Sequence, residues 1–219
     1  MITTKITNKE IVVLLYILTI GITVILVFFW NLFLFPAELS VLAISLLSIM
    51  LPFLMVAWDG IFATIIRHLM PARWFSKDRK RFQVSKIECK IYEALGIKHW
   101  KDNVLELGMF TSFSKKKVSD PNNPEYVERF ILECNYGCSI HFWNFVLGFV
   151  VMLFFPKNIA LRFILPGAIA NAILSILPLM ILRYNVPRLT RLLALLQKKA
   201  ERAIVAAVAQ TTHTPCSEN

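Results

Sequence analysis

Four long apolar runs divide this 219-residue chain: Ile11 to about Phe35, Leu39 to about Ala57, Ile140 to Phe155 and Ile159 to Leu182. About 20 apolar helical residues cross a hydrocarbon core of about 30 Å. Lipid offers the backbone no hydrogen bonds, so runs of this length are expected to satisfy their own as helices. The third run is short for a span, and the helical pattern from Pro124 is expected to enter the membrane with it. Apolar residues make up 57% of the chain and Phe alone occurs 17 times, more than a soluble domain of this length could bury. The expectation is an all-α integral membrane protein with about four transmembrane helices, a helical loop region on the cytoplasmic side and a C-terminal amphipathic helix.

The charges fix orientation. Of 24 Lys and Arg, two precede the first run, 14 lie between Arg67 and Arg129, and six follow from Arg183. Only Lys157 occupies a connection on the other side, with Arg162 just inside the fourth run. Positive loops stay in the cytoplasm, so both termini and the middle loop are expected there. The net charge of +10 follows from this pattern, and nucleic acid is not an expected partner. The division is a hairpin over 1–70, a basic region over 71–132, a second hairpin over 133–185, an amphipathic interfacial helix over 186–209 and a disordered tail over 210–219. Residues 61–70 fit either an interfacial helix or a continuation of the second span. Pro166 and Pro178 in the fourth span imply a kinked helix whose freed carbonyls need partners.

Three polar clusters sit at membrane depth or at its edge, where an ionisable side chain is costly and marks a candidate site. Glu133 and His141 lie two helical turns apart near one face, which fits a histidine base with an orienting carboxylate or a histidine bonded to a neighbouring span. Cys134, Cys138 and His141 have metal-ligand chemistry, but small cysteines on such a helix usually pack, and no metal is expected. Lys98, His99, Trp100, Lys101 and Asp102 follow the helix-ending Gly96; lysines beside a tryptophan suit a phosphate-holding interfacial loop or a solvated one. Asn171 in the fourth span, with Tyr184, Asn185, Pro187 and Arg188 at its end, forms the third. Soluble-enzyme signatures such as a phosphate loop, G-x-S-x-G or H-E-x-x-H are absent from the sequence.

The segments I-Y-E-A-L-G-I-K-H-W-K-D (91–102), E-C-N-Y-G-C-S-I-H-F-W (133–143), A-N (170–171) and R-Y-N-V-P-R-L-T-R-L-L-A-L-L-Q-K-K-A-E-R (183–202) together resemble the glycosyl-4,4'-diaponeurosporenoate acyltransferase family. The resemblance covers about 85–205. It implies a small membrane enzyme that transfers a fatty acyl group to a sugar hydroxyl of a carotenoid glycoside. It makes site candidates of Trp100, Lys101, Glu133, His141, Asn171, Asn185, Pro187 and Arg188.

The resulting expectation is an acyltransferase acting on a lipid-linked hydroxyl, with acyl-CoA or acyl-carrier protein as donor and no bound cofactor. His141 would take the hydroxyl proton, Glu133 would orient it, and Asn171 would donate to the developing oxyanion. Lys98, Lys101 and Arg188 would hold the donor's phosphates or carrier, with Trp100, Asp102, Tyr184 and Asn185 beside them. A reading from another class is a non-catalytic membrane partner or anionic-lipid-binding scaffold for lipid enzymes. A small transporter fits less well, because four spans without inverted repeats leave little to alternate.

Overall fold

The computed structural model describes residues 8–34, 38–104 and 118–212, and every element within them is helical. Helix α1 is Asn8–Phe29, prolonged by a π-helical turn Trp30–Leu34. Helix α2, Val41–Thr64, starts at Ser40, whose Oγ accepts from the Ala43 amide, and runs on through a π-helical turn Ile65–Leu69. Residues 61–70 therefore prolong the second span rather than lying across it. Two 3₁₀ turns, Ala72–Phe75 and Lys80–Phe82, lead to α3, Lys86–Ala94, and the single turn α4, Ile97–Trp100. Helix α5, Pro124–Val150, has Asn123 as N-cap and proline at its first position, the arrangement that favours helix entry. After a 3₁₀ turn, Val151–Phe154, comes the short α6, Lys157–Ile159, then a π-helical turn Ala160–Ile164 and α7, Leu165–Thr212.

Among the described residues, four helical stretches are long and apolar enough to cross a membrane: Val13–Phe33, Val41–Leu69, Pro124–Phe154 and Lys157–Ala209. The third is one helix from Pro124 and supplies the length that its apolar run lacks. The stretch 186–209 continues the fourth span without interruption. From residue 213 on, the expected tail and Cys216 lie outside the described residues, as does 105–117 of the basic region.

Helices α5 and α7 form the central pair, running antiparallel. At Gly137 a Cβ would stand 2.7 Å from Leu182 Cδ1, so glycine lets the two backbones close up. Toward the basic end a buried cluster joins Val127, Phe130, Ile131 and Cys134 of α5 to Leu182, Val186, Leu189 and Leu193 of α7, capped by Phe75 and Phe82. Asn135, fully buried, donates to the Phe75 carbonyl over 2.8 Å and pins the first 3₁₀ turn to α5. Gly96, at φ 66°, makes the left-handed turn between α3 and α4.

Proline has no N–H, so Pro166 orphans the carbonyl four residues back, that of Arg162. Asn31 of the turn after α1 reaches across to it, donating over 3.0 Å, and also donates to Val27 O over 2.8 Å. A freed carbonyl inside the membrane thus obtains its partner from another span.

Candidate functional site

The sequence-derived candidates fall into three places. At the basic end, α3 and α4 dock on α7 around the buried Tyr92, Ile97, Ile181 and Tyr184, with Trp100 packed at the edge. Arg188 lies over the Tyr184 ring at 3.7 Å and donates to its hydroxyl over 2.5 Å. Its guanidinium also stands 3.9 Å from Glu93, which Lys98 approaches at 3.7 Å. Trp100 donates its indole N–H to Leu95 O. Lys98 and Arg188 are therefore bridged by Glu93, with the buried Tyr184 under Arg188 and Trp100 packed on the same cluster. Asn185 is half-buried on the same turn of α7, and Lys101 pairs with Asp102 at 3.6 Å beside Trp100.

The second place is Glu133. Its largely buried carboxylate lies 2.8 Å from Arg67 Nη2 at the end of the second span, and 3.2 Å from Arg129 one turn earlier on α5. Arg129 donates a hydrogen bond to Oε1, whereas Arg67 meets Oε2 as an ion pair off the hydrogen-bond line. Two arginines thus neutralise Glu133, and eight residues of helix separate it from His141 by about 12 Å along the axis.

The third place lies deeper. Asn171 donates to Asp59 Oδ1 and to the Asn144 carbonyl, each over 3.3 Å, so α2, α5 and α7 meet there. Gly148, on the same face of α5 as Asn144, leaves room for this contact: a Cβ would come 3.4 Å from Asn171 Nδ2. His141 is one turn from Asn144 on α5 and half-buried. Helices α2 and α5 run antiparallel with Arg67 opposite Glu133, and eight residues back along one and eight forward along the other bring Asp59 level with His141. Asp59 falls between the apolar run that ends near Ala57 and residues 61–70, and was not among the sequence-derived candidates. Its signal was an acid inside what proves to be a continuous 29-residue span.

A groove of about 560 Å³ opens between α5 and α7. Phe142, Trp143, Ile176 and Leu179 give it apolar walls, and Arg81, Tyr92 and Arg183 form its basic end. Cys138 and Phe145, three residues before His141 and four after it, also line it, which places His141 on the helix face beside the groove. Arg183 is held by both carboxylate oxygens of Glu88 and donates to the carbonyls of Arg81 and Gln83. The Arg183 guanidinium hydrogen-bonds the charged Glu88 and keeps its carboxyl below the usual range. Burial and the Glu88 carboxylate push the Tyr92 hydroxyl well above its usual range, leaving it a neutral donor to Glu88. None of Arg81, Glu88, Tyr92 and Arg183 was singled out from the sequence, although Arg183 opens the R-Y-N-V-P-R segment.

A groove at membrane depth with apolar walls and a cationic end has the shape and lining to hold an acyl chain. The family model for glycosyl-4,4'-diaponeurosporenoate acyltransferase matches residues 71–195, more than half of the chain and all of the groove. No curated protein and no solved structure matches it. With its four apolar helices and this match, the chain belongs to the glycosyl-4,4'-diaponeurosporenoate acyltransferase family and is a multi-pass membrane enzyme of O-acyl transfer.

Proposed function

We propose that the protein moves a fatty acyl group from an acyl thioester to a sugar hydroxyl of a membrane glycolipid, with a carotenoid glycoside as the acceptor the family name indicates. The observation that carries this reading is the groove between α5 and α7, apolar along its walls and cationic at its rim, with His141 beside it. Lys98 and Arg188 take the phosphates of the donor, acyl-CoA or acyl-carrier protein, at the basic end, with Trp100 packed beside them. His141 lies level with about residue 178 of α7, so about 15 Å of helix separates it from Arg188, a gap for the donor's flexible arm to bridge.

In this reading His141 accepts the acceptor's hydroxyl proton as its oxygen attacks the thioester carbonyl. The carbon–sulfur bond then breaks and the thiol leaves with a proton. Asp59, level with the imidazole, takes the charge-balancing role first given to Glu133, whose carboxylate already serves two arginines. Both amide hydrogens of Asn171 are engaged by Asp59 and Asn144 O, so Asn171 acts by holding Asp59 rather than by meeting the oxyanion.

The positive-inside pattern places the basic end, both termini and the donor site in the cytoplasm. Incubating the protein in nanodiscs with a radiolabelled acyl thioester and a carotenoid glucoside tests the assignment. A labelled acyl ester on the sugar is expected, and its absence across a panel of glycolipid acceptors would remove it.

A further inference from the structure

Beyond the groove, α7 carries a feature that the reaction as described does not use. Arg188, Arg191, Lys198, Lys199 and Arg202 are all exposed, and 3.6 residues per turn put them within an arc of about 100° on one side of the helix. Leu195, 67% exposed, sits in the middle of this stripe. The opposite side carries Leu189 and Leu193, buried against the first turns of α5. That contact keeps α7 on course through Pro187, so the stripe runs outward from the membrane instead of along its surface.

Magnitude decides what the stripe can meet. The fourth span leaves the hydrocarbon near Arg183, which is paired with Glu88. Lys198 is then about 22 Å, and Arg202 about 28 Å, further along the helix. Headgroups occupy only about 5–8 Å beyond the hydrocarbon on each side, and screening ends within about 8 Å more at physiological salt. A tilt of about 20° changes these distances little. Anionic lipid therefore reaches Arg188 but not Lys198, Lys199 or Arg202. Free acyl-CoA, held at Lys98 and Arg188, leaves them idle as well.

We propose that the stripe docks the donor's carrier: a small acidic acyl-carrying protein whose carboxylates lie along Arg191, Lys198, Lys199 and Arg202, with Leu195 as the apolar contact at the centre. This rests on the acyl-transfer reading and chooses between its two donors. Charge complementarity sets the encounter rate and the orientation of docking, here aiming the thioester arm past Arg188 toward the groove. Glu93, 3.9 Å from Arg188 and 3.7 Å from Lys98, is a carboxylate at the inner end of the docking path.

Full-length protein in zwitterionic nanodiscs would be assayed with acyl-loaded acyl-carrier protein and with acyl-CoA, as wild type, K198E/K199E/R202E and K198Q/K199Q/R202Q. The reversal is expected to raise KM for the carrier-bound donor roughly tenfold or more and the neutral variant less, with kcat and the acyl-CoA kinetics within about twofold. Equal KM for wild type and reversal with the carrier-bound donor would overturn the docking. So would a reversal whose one defect is lost adhesion to phosphatidylglycerol vesicles, which would make the stripe a membrane contact. Stripe-dependent binding of the carrier with no acyl transfer from either donor would uphold the docking and remove the acyl-transfer reading.

Discussion

Asn171 donates its side-chain amide to Asp59 Oδ1 across 3.3 Å, tying the fourth span to the second, while the same amide reaches Asn144 O on the third. A carboxylate at this depth is tolerated because neighbouring helices supply polar partners. Asp59→Asn keeps the size and can keep a hydrogen bond but removes the charge. Expected is a fall in kcat of about 10²-fold, within the range ascribed to general acid–base groups, with little change in KM or expression. Asn171→Leu is expected to lower kcat similarly by releasing Asp59. Turnover in membranes carrying each variant checks both, and near-normal kcat in Asp59→Asn would remove the carboxylate from the reaction.

His141→Gln is expected to lower kcat by about 10²- to 10⁴-fold, the usual loss on removing a general base. Donor binding, measured by titration of a non-hydrolysable acyl-CoA thioether, should stay as in wild type. Weakened donor binding with unchanged kcat would instead make residue 141 a wall of the groove.

Glu88 and Arg183 lock α3 and the 80–83 turn onto α7. The Glu88 pKa is lowered in the fold from its ordinary value of 4.5, first by the Arg183 hydrogen bond. Stabilisation from a depressed carboxylate is in force above the unfolded value and is lost as pH falls through the folded one. Protection of α3 amides against hydrogen exchange should therefore hold at neutral pH and be lost in acid, on the low side of the ordinary carboxyl value of 4.5. In Glu88→Gln the neutral-pH protection should already be reduced and nearly independent of acid.

Asn31→Leu leaves the Arg162 carbonyl without its donor inside the bilayer. An unsatisfied buried polar group costs about 1–3 kcal/mol, so the thermal transition in detergent should move down. Asn31→Gln, able to reach the carbonyl only after rearrangement, should lie between. Acyl transfer at low temperature should be almost unaffected, because Asn31 is remote from the groove.

Much of this was legible from the residues. Runs such as 159–182 and the cap-and-proline entry at Asn123 and Pro124 are local signals, and the need for a partner at the carbonyl freed by Pro166 follows from covalent structure. The candidates at 98–102 and 184–188 were readable as a group because each lies within one or two turns. Pairing across helices was not. Glu133 and His141 look like partners on one helix, yet a neighbouring span offers Glu133 an arginine, Arg67, at 2.8 Å, and the Asp59 carboxylate of that span meets Asn171. Asp59 itself was hidden because it falls between the apolar run ending near Ala57 and residues 61–70, and the structure runs one helix through both.

By itself the sequence determined that the chain is helical, crosses a bilayer several times and keeps its cations at one end, since hydrophobic length and charge placement act on each segment separately. Tertiary structure alone decided which carboxylate meets which cation or amide, where the groove opens, and that residues 186–209 belong to the same helix as the fourth span. Those outcomes depend on helix register and on close approach at positions such as Gly137 and Gly148, which bring together atoms far apart along the chain.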